Sequence, residues 1–94
     1  MFKNTEISDL TLYHFQACPY CAKTRAIMDD LGINIEKRDI RLDSDYKVEL
    51  LAHGGKIQVP CLRVEKQNEN TKWIYESEDV IDYLISNANI LIFK

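Results

Sequence analysis

The chain has 94 residues, 46% hydrophobic and 29% charged, with a net charge of -3. That length supports one modest core and argues against two, and the composition is that of a folded chain, not a disordered one. The slight acidity removes the footprint expected of a nucleic-acid binder, and no apolar run is long enough to span a membrane or act as a secretory leader.

Taken in order, Leu10-Thr11-Leu12-Tyr13-His14-Phe15 favours a strand, with Tyr13 and Phe15 expected on opposite faces, and Gln16-Ala17 leads into Cys18-Pro19-Tyr20-Cys21. A helix is expected from Pro19 to about Leu31, with Ala22, Ala26, Ile27 and Leu31 as its buried stripe and Gly32 as its stop. Asp29 and Asp30 fall in its last turn, against the dipole preference. Ile33 to Ile40 reads as a second strand, completing a βαβ unit. Asp43 or Ser44 caps a second helix carrying Val48, Leu50 and Leu51, ended by Gly54-Gly55.

The residues after Pro60 read as a third strand, Glu65 to Asn70 as a turn, and Trp73-Ile74-Tyr75 as a fourth strand. Ser77 is the expected N-cap of a last helix, with Glu78 and Asp79 in its first turn and Val80, Ile81, Leu84 and Ile85 on its buried face. The terminal Ile90 to Phe93 is expected to dock on the core. This order describes an α/β domain with a four-stranded mixed sheet flanked by helices, spanning residues 1–94.

Chemistry concentrates at Cys18 and Cys21. Placed at a helix start, Cys18 meets unpaired backbone N–H groups and the positive end of the macrodipole, both of which favour a thiolate. Pro19 suits the first helical position, where a missing N–H costs nothing. Cys21 lies a turn deeper and can reach Cys18, so one sulfur attacks and the other resolves. A structural zinc site wants four ligands, and Cys61, His14 and His53 would have to converge from separate elements to complete one. Three cysteines do not make a disulfide framework, which points to a reducing, cytoplasmic setting. Cys61 reads as an apolar filler, Tyr20 as an exposed residue at the thiol site, and His14, His53, Trp73 and Tyr75 as structural.

Cys18-Pro19-Tyr20-Cys21 with the downstream Val59-Pro60 resembles the dithiol glutaredoxin family of the thioredoxin superfamily, over roughly Leu10 to Ser86. The resemblance implies a thioredoxin-like fold, a cis bond at Val59-Pro60 and glutathione as co-substrate. Tyr20, Val59, Pro60, Glu76 and Ser77 are the implied glutathione contacts, Val59 through its backbone to the cysteinyl part. Glu76-Ser77 looks like the pair that grips the glutamyl group in glutathione transferase N-terminal domains. Many glutaredoxins carry a lysine three residues before the first cysteine; Phe15 stands there, and Lys56 is a candidate cation in its place.

The expected activity is glutathione-dependent reduction of protein disulfides and glutathione mixed disulfides by a monomer, with no metal, nucleic-acid or membrane partner. Alternatives are a thioredoxin-like reductase served by a flavoprotein, a glutaredoxin holding a two-iron, two-sulfur cluster (which Pro19 disfavours), and a non-catalytic binding domain.

Overall fold

A computed structural model describes residues 6–65 and 70–87. The expected turn at 66–69 and the docking of Ile90 to Phe93 lie outside the described residues. Four strands, β1 (Glu6–His14), β2 (Asn34–Asp39), β3 (Cys61–Val64) and β4 (Lys72–Ile74), and three helices, α1 (Pro19–Leu31), α2 (Ser44–Glu49) and α3 (Ser77–Ser86), follow the expected order. The sheet runs β2-β1-β3-β4, with β1 parallel to β2 and antiparallel to β3, and β4 antiparallel to β3. It is a thioredoxin-like fold with a mixed four-stranded sheet.

Strand periodicity divides the interior in two. Leu10, Leu12, Leu62 and Val64 face α1 and α3, where Met28, Ile33, Ile35, Val80 and Leu84 close an all-apolar core. Tyr13 and Cys61 face the other way and meet Ile40 and Leu50, with Phe15, Tyr46, Val59, Trp73 and Tyr75 packed around them. Phe15 therefore shares a side with Tyr13 instead of opposing it, because residues two apart in an extended chain point the same way.

Helix α1 begins and ends as its sequence dictates. Cys18 is the N-cap in extended conformation and Pro19 is the first helical residue. At the other end Gly32 adopts a left-handed φ of 72°, its N–H donating to the Asp29 carbonyl while the Ile33 N–H donates to that of Met28. These two bonds form a Schellman cap. The buried stripe differs from the expected one: Cys21, Thr24 and Met28 are buried, Ile27 and Leu31 are half-buried, and Ala22 and Ala26 face solvent. Positions 21, 24, 28 and 31 form the helical i, i+3, i+7, i+10 row, and the alanines lie on the opposite side, about 140–180° from its centre. Thr24 tolerates burial because its hydroxyl donates to the Tyr20 carbonyl at 3.0 Å.

Asp43, not Ser44, caps α2, accepting from the Asp45 N–H at 2.9 Å. Beyond Glu49 the helix widens into a π-turn, Leu50–Gly54. Leu50 is fully buried while Val48 and Leu51, about 200° and 100° around the helix from it, are 64% and 50% exposed. Gly54 ends it where a Cβ would run into the Tyr75 hydroxyl and the Trp73 ring. In α3 the cap is Glu76, without a side-chain bond, and Ser77 is the first helical residue. Val80, Ile81 and Leu84 are buried, but Ile85 is exposed, lying beyond the row that meets the sheet.

Under α2 the sheet is bound by polar groups. The Tyr13 hydroxyl donates to Glu49 at 2.5 Å and accepts from Arg38 at 3.3 Å and Arg63 at 3.1 Å, while Arg38 pairs with Glu49 directly. Burial works against the Glu49 carboxylate, yet the bonds from Tyr13 and Arg38 hold it below its ordinary range. Tyr13 also packs on Trp73 with ring centroids 5.7 Å apart. One carboxylate thus joins β1, β2 and, through Tyr13, β3 to α2.

Candidate active site

Strand direction brings four segments to one edge of the sheet. The ends of β1, β2 and β4 and the start of β3 all lie there. Across that edge the order is the loop after β2 with Arg41, the turn after β1 with Cys18, then Val59-Pro60, then Tyr75 to Ser77. Such strand ends are where α/β sheets commonly hold ligands.

Cys18 and Cys21 occupy the geometry expected of them. The Cys21 N–H donates to the Cys18 sulfur at 3.3 Å, and the Ala22 N–H donates to the Cys18 carbonyl at 2.9 Å. Cys18 is 6% exposed and Cys21 is fully covered, so the first sulfur is the accessible one. Burial, then the contact with Cys18, pushes the Cys21 thiol up to about 12. A thiol raised in this way keeps its proton at neutral pH and is a poor nucleophile. Tyr20, between them, is 63% exposed at the rim, as expected.

The Val59-Pro60 peptide is cis, Pro60 is buried, and Val59 packs in the cluster that contains Phe15. Cys61 behind it is fully buried, and burial pushes its thiol up to about 12 despite the neighbouring Tyr75 hydroxyl, which suits an inert filler. Gln58 joins this loop to the start of α3 by donating to Glu76 at 3.3 Å, and Tyr75 donates to the Lys56 carbonyl at 3.1 Å. Lys56 lies over the Tyr75 ring at 4.6 Å, on the β4 side of the site and not beside Phe15. A cavity of about 650 Å³ opens there, lined by Lys56, Tyr75, Glu76, Asp79 and Tyr83 among others, and it does not include the cysteines. Ser77, Glu76 and the cysteines therefore share an edge but not one enclosed pocket. Among the described residues no three His, Cys, Asp or Glu side chains gather as metal ligands would.

Two arginines missed in the sequence frame the turn. Arg25, one turn beyond Cys21 on the same face of α1, reaches back to His14 Nδ1 at 2.9 Å, the Phe15 carbonyl at 3.4 Å and the Gln16 carbonyl at 3.1 Å. Since Arg25 only donates, His14 Nδ1 must accept, so the imidazole is neutral with its proton on Nε2. Burial and then the Arg25 charge push the His14 pKa down. The i,i+4 spacing from Cys21 was the available signal. Arg41 lies over Phe15, its guanidinium carbon 3.7 Å from the ring centroid. Nothing in the local sequence marks that pair, because it forms between the ends of adjacent strands.

Residues 12–89 match the family described as glutathione S-transferase, N-terminal domain. Glutaredoxin 3 of Escherichia coli K12 is 21% identical over 62 residues, covering 66% of this chain and 75% of that protein. Among solved structures, a maleylacetoacetate isomerase from Anaeromyxobacter dehalogenans with bound dicarboxyethyl glutathione superposes with a TM-score of 0.64 at 23% identity, covering 84% of this chain. The chain spans about a third of that enzyme's length, 34%. The solution structure of a glutaredoxin from Brucella melitensis gives a TM-score of 0.55 at 17% identity, covering 88% of this chain and 84% of its own.

Proposed function

The chain belongs to the glutathione S-transferase N-terminal domain family, and from that membership we propose that it is a glutathione-dependent thiol–disulfide oxidoreductase working through Cys18 and Cys21. The observation that carries this reading is the Cys18 sulfur, at a helix N-cap with the Cys21 N–H on it at 3.3 Å, at the same sheet edge as the cis Val59-Pro60 peptide. The glutathione derivative bound in the isomerase and the likeness to glutaredoxins support the choice of donor.

Helix N–H groups stabilise negative charge on the Cys18 sulfur as it attacks. On a glutathionylated protein, the thiolate of Cys18 attacks the glutathione sulfur of the mixed disulfide, that S–S bond breaks, and the client leaves as a thiolate. A second glutathione thiolate then attacks the Cys18–glutathione bond, releasing glutathione disulfide and restoring Cys18. On a protein disulfide, the Cys18 thiolate attacks one sulfur, that S–S bond breaks and the other client sulfur leaves as a thiolate; Cys21 then attacks the Cys18–client bond, and its proton goes to the departing client sulfur. Two glutathiones reduce the resulting Cys18–Cys21 bond, one forming a mixed disulfide and the next displacing it. Val59 offers backbone hydrogen bonds to the bound thiol peptide, Pro60 holds that strand beside the sulfurs, and Tyr20 covers the exposed flank. Glu76 and the Ser77 hydroxyl at the start of α3 take the charged glutamyl end.

The test is glutathione-dependent reduction of a small mixed disulfide. Cys18→Ser should lose activity by at least about a hundredfold, while Cys21→Ser should retain it. Undiminished turnover in Cys18→Ser overturns the assignment. Reduction of the oxidised protein by a flavoprotein reductase, with none by glutathione, replaces the donor.

A further inference from the structure

Arg25 is a half-buried cation whose hydrogen-bond partners are all neutral. Its guanidinium meets His14 Nδ1 at 2.9 Å and the carbonyls of Phe15 at 3.4 Å and Gln16 at 3.1 Å. Among the described residues it pairs with no carboxylate, whereas Arg38 and Arg63 are both paired. Taking a guanidinium partly out of water without a counter-charge is unfavourable, and covered arginines ordinarily have one. An anion that forms only during turnover leaves this pattern in the resting protein.

The Cys21 sulfur is such an anion in waiting. Cys21 and Arg25 stand four residues apart on α1, a spacing that makes side chains neighbours. Arg25 folds back toward the start of the helix, because the Phe15 carbonyl it reaches also accepts from the Cys18 N–H at 3.2 Å. Cys21 is fully buried, so water does not stabilise charge on its sulfur. Burial opposes its ionisation, and the charge of Arg25 works against that burial. The need arises whenever the Cys18–Cys21 bond forms or breaks. A thiolate that attacks Cys18 sends the electron pair of that bond to Cys21, and the reverse step draws the pair from Cys21. Reaction of Cys18 with an external disulfide puts no charge on Cys21.

We propose that Arg25 serves the dithiol route alone, as a positive charge held beside Cys21 that stabilises its sulfur while the Cys18–Cys21 bond forms and breaks. This rests on the thiol–disulfide reading above and names the residue that separates its two routes. His14 and the two carbonyls position the guanidinium. Cys21 regains a proton once the step is over, so Arg25 alters the rate in both directions and leaves the equilibrium in place.

Two reductions by dithiothreitol test this, and neither depends on glutathione as donor. In the first, the oxidised chain carries the Cys18–Cys21 bond. A dithiothreitol thiolate attacks Cys18, Cys21 leaves with the electron pair and takes a proton from solvent, and the second dithiothreitol thiol displaces Cys18 and closes its ring. In the second, the Cys21→Ser chain carries a mixed disulfide of Cys18 with 2-mercaptoethanol, so no charge falls on position 21. Both are quenched in acid and followed by mass spectrometry. Arg25→Gln should slow the first reaction by about fivefold to tenfold, the effect of one screened charge a helical turn away. It should slow the second by less than about twofold. Arg25→Lys keeps the charge and should stay within about twofold of wild type in both. The equilibrium of the Cys18–Cys21 bond with dithiothreitol should not move. Equal slowing of both reactions assigns Arg25 to holding the turn and overturns the proposal. So does an unchanged first rate, a shifted equilibrium, or a loss in Arg25→Lys as large as in Arg25→Gln. Where Arg25→Gln does not fold, Arg25→Lys decides alone: a first rate reduced by more than about fivefold overturns the charge role. If oxidation forms no Cys18–Cys21 bond, the dithiol reading fails and this proposal falls with it. Reduction by dithiothreitol but not by glutathione removes only the choice of donor.

Discussion

The two faces of the sheet are held by different physics. Against α1 and α3 the interior is mainly apolar, with Leu10, Leu12, Leu62, Val64, Met28, Val80 and Leu84 almost wholly buried and Thr24 bonded within its own helix. Against α2 the central group is a tyrosine hydroxyl shared among one glutamate and two arginines, with aromatic rings at its margins. Apolar packing depends on volume and is insensitive to pH, whereas the α2 side depends on charge and direction. The candidate thiols sit at the start of α1 while Phe15, three residues earlier, packs in the cluster under α2, so the site joins both kinds of support.

The largest effect that separates the faces should come from Leu12→Ala. This side chain is fully buried at the centre of β1, and its removal leaves a cavity among rigid neighbours. Urea denaturation should show a loss of about 2–5 kcal/mol, nearly constant between pH 5 and 8. A loss under about 1 kcal/mol would mean that the apolar face repacks readily and contributes less than its burial implies.

Glu49→Gln probes the other face at a smaller magnitude. The shape is kept but the charge facing Arg38 and Tyr13 is lost. Both carboxylate and guanidinium are partly exposed, at 31% and 21% of their side chains, so solvent screening limits the loss to about 1–2 kcal/mol. The glutamate is held below its ordinary 4.5, so its contribution is fully present above that pH and is lost as pH falls through the folded value. The gap between wild type and Glu49→Gln should therefore narrow on acidification below about 4.5. A gap of constant size would assign the loss to packing, making the two faces alike.

The same contrast explains what the sequence made legible. The succession of strands and helices and the α1 boundaries followed from local signals: runs of strand-forming residues, a proline at the helix start and Gly32 at its end. The Cys18 cap and the cis Val59-Pro60 peptide were likewise marked by short motifs. The α2 side resisted because its determinants lie across strands. The bonds among Tyr13, Glu49, Arg38 and Arg63 join residues up to 50 positions apart. Arg41 on Phe15 is of this kind, as is Lys56 over Tyr75. A charged residue in a loop carries no periodicity, and its partner appears only when the strand ends are brought together.

His14 carries polar chemistry to the rim of the apolar face and should give the smallest effect. It is almost fully buried on β1, with Arg25 on its Nδ1 and with Lys37 and Asp39 as the other charges that act on it. Burial and Arg25 depress its pKa while Asp39 opposes them, and the net shift is downward from 6.5. Between the folded value and 6.5 the unfolded chain binds a proton that the folded chain does not, so stability must fall as pH drops through that window. The slope cannot exceed about 1.4 kcal/mol per pH unit for one proton. His14→Gln offers Arg25 an amide oxygen without a titrating nitrogen, so its urea midpoint should vary less between pH 7.5 and 5.5 than that of wild type. If the slope survives the substitution, the proton belongs to another group. If the slope disappears, the link reaches the site itself, because a protonated His14 would repel the guanidinium that holds the Phe15 and Gln16 carbonyls just ahead of Cys18.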